Sequence, residues 1–595
     1  RIDKEIAVDN DDRTLHLADL YSRDDMYTVI IAVNEICKYE YFPSHNWLSL
    51  QAIIAESSLC VLELLSPVIF QKYIMGISLD INLCGEFLST LLKLAILDTV
   101  ALEGLPVLAR AASTSITCSI GARVELLIDK VWGRLGDYVN KHKLESSLAT
   151  LVLDYDLIHN VVLYTLKCTQ TRKTGSKLLI SIMKNYNQIE VERQCIISLF
   201  DIYCNGLYEP CESDELGFIN NLNEFSTTNE SETDQISMLF DFVAYLSRFI
   251  RVLNRLIRVP DTVEFNDDKV VYKIQALLYL VNVGEPEPLR EFVGDLYKET
   301  IAQKDHIQAG LYLELLASTF SWSHGEYVTA SLIPELPIQT NFERREALLE
   351  LSAEHYISGH NLSKAIDVYN FMLNVFKNET YDLLRLSRLH GKLSLRYMEL
   401  EYQDTIQHSY CRVVFLGNGF PEVLRGKQRI YEGQPFEHFT SIQQRILSKF
   451  PGSALYKDDG TDGKNLTGKY LDITLVYPNK SESGHDKKSF SVLKKVPGSS
   501  SIFDLWTEET TFETKSSFPT LMNFNDIASY KVIKLSPLDN ASRTINAKTS
   551  ELLRLERSIH RSMTDQTKSR GLFLDLSREL AGTVDSPING GVGQY

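Results

Sequence analysis

VVFLGNGFPEVLRGKQRIYEGQPFEHF (413–439) separates two kinds of chain. Arg412-Val413-Val414-Phe415-Leu416 and Arg429-Ile430-Tyr431 concentrate β-branched and aromatic residues, with glycine and proline between them, which is the composition of a strand, a turn and a second strand. Glu432-Gly433 reads as a hairpin turn. The segments 470–476 and 530–533 repeat the strand signal, so residues 403–545 are expected to form a small antiparallel β lobe. From Asn546 a helical period returns through Leu552, Leu553, Leu555 and Ile559, and again over 572–580, as the start of a further helical domain.

Upstream the period is helical throughout. Between 24 and 258, apolar residues recur three and four positions apart, as in Ile54, Leu59, Leu62, Leu65 and in Leu126, Leu127, Val131, Leu135. Stacked pairs of such helices give an α-solenoid of armadillo-like kind over 1–260, without the fixed period of tetratricopeptide or ankyrin repeats. The greasy run 88–112 is interrupted by Lys93, Asp98 and Glu103, which predicts a buried helix pair and not a membrane span. Residues 221–234 are polar and acidic, as in a surface loop, and VPDTVEFNDD near 260–268 marks a domain change. Helices are predicted at 269–282, 286–303, 305–320, 343–357, 362–377 and 380–401, a second helical array over 268–402. The chain starts without methionine and stops after a Gly-Gly turn, which reads as a piece of something longer.

With 595 residues, 44% of them apolar, there is material for several cores. A net charge of −17 weighs against a nucleic-acid partner. Nine cysteines without a CxxC pair read as reduced core thiols of a cytosolic protein.

Catalytic chemistry finds no footing. Gly460-Thr461-Asp462-Gly463-Lys464 has two residues between its glycines where a P-loop has four, and Gly417-Asn418-Gly419 leads into Phe420-Pro421 instead of a helix. Thirteen histidines contain no HExxH; Glu354-His355 with His360 is the nearest cluster, read as solvated or turn histidines. There is no GxSxG elbow and no recognisable cysteine nucleophile. Asn378-Glu379-Thr380 and Asn540-Ala541-Ser542 match a glycosylation triplet that is common by chance.

The segment 413–439 resembles the DOCK family of guanine nucleotide exchange factors through Gly417–Pro421, Leu424–Lys427 and Ile430–Gly433, in that order. The likeness continues in Leu311-Tyr312-Leu313-Glu314, Phe320-Ser321-Trp322-Ser323, Lys364-Ala365-Ile366, Leu505-Trp506-Thr507-Glu508, Phe518-Pro519 and Ser536-Pro537-Leu538-Asp539-Asn540-Ala541, covering roughly 268–595. It implies a mainly α protein in which armadillo-like repeats (1–260) precede three lobes. These are a helical array (268–402), a β lobe that grips a GTPase (403–545) and the start of a helical bundle (546–595). By resemblance, Gly582–Gly591 is the nucleotide-sensing loop: Ile588 stands where relatives carry a valine, Val584 and Asn589 flank it, and Gly590 and Gly591 permit close approach. Phe415, Gly417, Asn418, Gly419, Phe420, Pro421, Arg425, Lys427 and Tyr431 would meet the GTPase. The resemblance further implies a Rho-family partner of the Rac or Cdc42 type, an ELMO-type adaptor, a homodimer through the β lobe, no cofactor and no covalent chemistry. It also implies a cytoplasmic protein recruited to membranes through regions outside this chain. The competing expectation is a catalytically inactive helical scaffold that binds adaptor or GTPase without exchange. The segment 478–503 looks shorter than its family counterpart.

Overall fold

Side-chain capping fixes where the first helices start. In the computed structural model, which describes residues 22–37, 48–74, 79–97, 106–116, 120–142, 156–168, 171–185, 188–227, 233–402, 408–456, 466–479, 487–495, 506–561 and 566–581, Ser22 and Asp25 form a reciprocal capping box for α1 (Arg23–Ile36). The chain divides into two compact units, 1–261 with 268–292, and 262–267 with 293–595.

The first unit is all helix among its described residues: α2 (Leu48–Val68), α3 (Ile81–Ile96), α4 (Val107–Ile116), α5 (Ile120–His142), α6 (Leu157–Lys167), α7 (Arg172–Asn185), α8 (Gln188–Cys204), α9 (Glu212–Thr227) and α10 (Thr233–Arg258). Asp80 caps α3, which is the centre of this core: Leu83, Phe87, Leu88, Leu91 and Leu92 are buried, and the helix packs on α1, α5 and α6. The buried pair expected over 88–112 is only half realised. α4 opens on Val107 and Leu108, 78% and 86% exposed, because no described neighbour covers that turn. Leu126 likewise points outward, 58% exposed, whereas Leu127, Val131 and Leu135 are buried. The loop expected over 221–234 is helical to Thr227, since Phe218 and Leu222 anchor α9 in the core.

Among the described residues, Leu50–Tyr73 alone is long and apolar enough to cross a membrane, with a mean hydropathy of 1.8. It carries Glu56 and Glu63, which receive the Arg123 guanidinium from α5 at 2.6 and 2.8 Å. Five described cysteines are buried, and Cys60, Cys204 and Cys211 are exposed, so the expectation of core thiols holds only for part of the set. Burial pushes the Cys84 and Cys411 thiols up to about 12.

The division between units falls within α11 (Asn266–Asn282) and α12 (Glu287–Gln303). Beyond it, α13 (His306–Ser318), α14 (Asn341–Ser358), α15 (Leu362–Val375) and α16 (Leu383–Tyr402) stack in succession, at bounds close to those the sequence predicts. The crossing of α13 and α14 depends on Gly310, where a Cβ would lie 2.6 Å from the Tyr356 ring. Two small ribbons unforeseen from sequence join α13 to α14: β1 (Tyr327–Val328) and β2 (Ser331–Leu332) pair with β4 (Gln339–Thr340) and β3 (Glu335–Leu336) respectively.

The β lobe follows. β5 (His408–Leu416), β6 (Gln428–Pro435), β7 (Ser453–Leu455), β8 (Lys469–Pro478), β9 (Lys487–Lys495), β10 (Thr507–Phe518) and β11 (Phe524–Leu535) run in the order β5-β6-β11-β10-β9-β8-β7, and β5 also pairs with β8. The extra pairing closes a circuit. Long strands pass from one sheet to the other at its corners: β8 meets β5 over 470–476 and β9 only at 477–478, and β11 meets β6 only at 524–526. Tyr410, Ile430, Val476, Phe490, Phe512 and Phe518 fill the space between. The lobe is antiparallel except for β7, which runs parallel to β8.

Glu432-Gly433 is not a hairpin turn. It lies within β6, and glycine is required there because a Cβ would come within 2.6 Å of Ile442 and 2.9 Å of the Ser409 carbonyl. Ile442 and Ile446 belong to α17 (Phe439–Lys449), a helix inside the lobe that packs on its sheet. α18 (Pro537–Arg561) starts before the expected 546, because Ser536 and Asp539 form a capping pair with Pro537 in the first turn. α19 (Gln566–Leu580) packs back on it, joined by Lys548 to Glu579 at 2.7 Å.

Candidate functional site

The turn after β5 is held by main chain on every side. Gly417 has φ +89, and a Cβ on it would sit 2.2 Å from the Gly468 carbonyl oxygen; one on Gly419 would be 2.8 Å from the Gly468 carbonyl carbon. That proximity lets the Asn418 and Gly419 amides donate to Leu466 and Gly468, both at 3.0 Å, while the Asn418 side chain accepts from the Gly468 amide at 3.0 Å. Gly426, at φ +71, donates to the Phe415 carbonyl at 2.8 Å and closes the second bend.

Arg425 is spent inside this turn. Its guanidinium donates to the Phe420 carbonyl at 2.7 Å and to the Asn418 carbonyl at 3.0 Å. The side chain of this candidate contact is exposed, and its donors brace the loop. The structure places the aromatic candidates Phe415, Phe420 and Tyr431 inside the lobe. They are buried, Phe415, Phe420 and Phe450 forming a T-shaped aromatic triangle with centroids 5.2 to 5.9 Å apart. Tyr431 packs on Phe524. They shape the lobe from within. Of the candidate residues, Asn418, Gly419 and Arg425 are exposed, and Pro421 and Lys427 are partly so. Ile588, Val584, Asn589, Gly590 and Gly591 lie outside the described residues; the last helix before them is α19.

Beneath the turn lies a charge centre that sequence reasoning missed. Arg429 is 1% exposed, donates to Asp526 at 2.9 Å and stacks 4.4 Å over the Phe524 ring. Lys515 also reaches Asp526, at 2.9 Å. Burial alone would raise the Asp526 pKa, but the Arg429 and Lys515 charges hold it down to about 2. Only the strand pairing of β6 with β11 brings 429 to 526, so no local signal announces the pair.

The upstream motifs also meet in space. Glu314 of Leu-Tyr-Leu-Glu takes Lys364 of Lys-Ala-Ile at 3.3 Å, joining α13 to α15, with burial holding the Glu314 pKa above its usual value. Trp322 lies edge-on to Phe342 at 5.0 Å, under the Arg345 guanidinium at 4.7 Å. His355 is no solvated histidine. It stacks on His306 with Nδ1 atoms 3.2 Å apart and meets the Tyr297 hydroxyl at 3.1 Å, whereas His360 is a turn residue at φ +58. Among the described residues no three His, Cys, Asp or Glu side chains are grouped to hold a metal ion.

No protein-family model matches the chain. It is 30% identical to "DOCK-like protein 1" of Saccharomyces cerevisiae over 98% of its own length and 33% of that protein. Human "Dedicator of cytokinesis protein 4" and "Dedicator of cytokinesis protein 3" are 22% and 24% identical over 53% of the chain, or 17% and 16% of their own lengths. The chain thus spans about a third or less of these relatives. It belongs to the DOCK family.

Proposed function

We propose that this chain carries the exchange region of a factor that releases GDP from a Rho-family small GTPase of the Rac or Cdc42 type. In this reading armadillo-like repeats over 1–260 precede a helical array (268–402), a gripping β lobe (403–545) and the first part of a bundle with the sensor loop (546–595). The observation that carries it is the similarity to a DOCK-like protein along nearly the whole chain. The rigid turn at 417–427, with Asn418 and Gly419 at its tip, supplies a preorganised surface for the partner.

The chemistry is differential binding. The magnesium ion of a loaded GTPase requires near-octahedral oxygen coordination, and a branched aliphatic side chain such as Ile588 offers no lone pair while excluding water. Preferring the nucleotide-free form by about 4 kcal/mol corresponds to roughly a thousandfold faster release. No acid, base or nucleophile is needed. An ELMO-type adaptor, a homodimer through the β lobe and a cytoplasmic protein recruited to membranes complete the proposal.

The test is release of a fluorescent GDP analogue from a panel of Rho-type GTPases by the full-length protein and its Ile588→Ala form. Acceleration by the first and its loss in the second supports the reading. Absence of acceleration with every GTPase by the full-length protein overturns it in favour of a scaffold.

A further inference from the structure

The C-terminal half of α10 reads SRFIRVLNRLIR (247–258). Arg248, Arg251, Arg255 and Arg258 recur three, four and three residues apart, so at about 100° per residue they share an arc of about 80° and extend over about 15 Å of helix. All four side chains are exposed, while Val243, Leu246, Phe249, Ile250 and Leu253 bury the opposite face.

A helix dipole explains only part of this stripe. Cations in the last turn are favoured, which accounts for Arg255 and Arg258. Arg248 and Arg251 lie further back, and among the described residues they pair with no carboxylate: their guanidinium groups reach only the Ala244 carbonyl at 3.3 Å and the Ser247 hydroxyl at 3.2 Å. Arg258 lies in the field of Glu215, whose carboxylate is already held by the Tyr203 hydroxyl and by Asn254. In a chain of net charge −17, unpaired arginines on one helix face are an excess that local acids do not meet.

Beside the stripe, between α9 and α10, is a groove of about 630 Å³ lined by Ile219, Phe240, Val243, Ala244, Arg248 and Arg251, with Asp241 and Ser247 also on its α10 side. Phe240 is 38% exposed. Apolar and cationic groups therefore stand side by side on the same surface.

We propose that this groove and its arginine stripe form a docking surface for an acidic segment of a protein partner, one apolar side chain of which enters the groove while its carboxylates pair with Arg248, Arg251 and Arg255. Charge complementarity selects the occupant. Guanidinium forks match carboxylates two hydrogen bonds at a time, a geometry that lysine does not offer. A helical segment with glutamates at the same three- and four-residue steps aligns with the stripe along its length. Asp241 in the groove and the negative charge of the whole chain disfavour a flat anionic bilayer, which is the other surface a basic stripe can meet. This inference does not depend on nucleotide exchange.

The probe is a fluorescein-labelled helical peptide with four glutamates at the stripe's spacing and one phenylalanine. It is titrated by anisotropy against the full chain at low and physiological salt, beside its glutamine counterpart and vesicles rich in phosphatidylserine. Saturable, salt-weakened binding of the glutamate peptide is expected, at least about tenfold weaker in Arg248→Glu/Arg251→Glu and weakened also in Phe240→Ala. Arg248→Gln/Arg251→Gln, with an unchanged melting curve, separates lost charge from lost fold. Equal affinity of the wild type and the charge-reversed protein, or binding of vesicles without binding of the peptide, overturns the proposal.

Discussion

Among the described residues Arg429 is the largest of the fully buried side chains, and it is an ion. This buried cation is met by Asp526 at 2.9 Å and by the Phe524 ring at 4.4 Å, so replacing Asp526 takes a charge partner from Arg429 inside the lobe. The folded pKa of Asp526, about 2, is below its ordinary 3.8, so its stabilising contribution is complete above 3.8 and is lost as the pH falls toward 2. Asp526→Asn is expected to cost about 3 kcal/mol at neutral pH. Urea unfolding of both proteins from pH 7 downward should show that difference shrinking through the same acidic window; a difference independent of pH refutes the assignment. The sequence motif that contains Arg429 was legible, but its role was not, since Asp526 is supplied by a strand nearly a hundred positions later.

Elements were legible in proportion to how much of their pattern is local. The helices of 266–402 appear within a few residues of where apolar spacing places them, and Ser536 with Asp539 is a start signal readable directly. β9 and β10 were missed because KKSFSVLKK and TEETTFETKSSF are dominated by lysine, threonine, glutamate and serine, as suits a ribbon with one solvated face. The arginine step of α10 was visible in the sequence, though only its exposure distinguishes it from a buried ion-pair ladder. At this scale the loop before β11 is the most dependent on a distant element: Met522 and Asn523 hold φ of +60 and +56. Gln308 of α13 fixes them by accepting from the Met522 amide at 3.0 Å while donating to the Thr520 carbonyl at 2.9 Å and to Asn523 at 2.8 Å. Gln308→Ala should cost about 1–3 kcal/mol and speed amide exchange across 520–524. Unchanged exchange there would show that the loop holds its own shape.

Across the whole molecule, the two units have separate apolar interiors, one centred on α3 and one between the sheets of the β lobe. Phe490 is fully buried in the second, so Phe490→Ala should cost about 3–5 kcal/mol there. Amide protection of 81–96 in α3 should be unaffected, because sites in separate cores without shared partners act independently; a parallel loss in both regions rules this out. The sequence by itself determined the succession of helical array, β lobe and returning helices, and the family, because both follow from local periodicity and from motifs in fixed order. Tertiary structure alone decided which motif residues face solvent. Phe415 and Phe420 pack inward and Arg425 turns back on its own loop, since burial is set by strands and helices that meet only after the chain has closed its sheets.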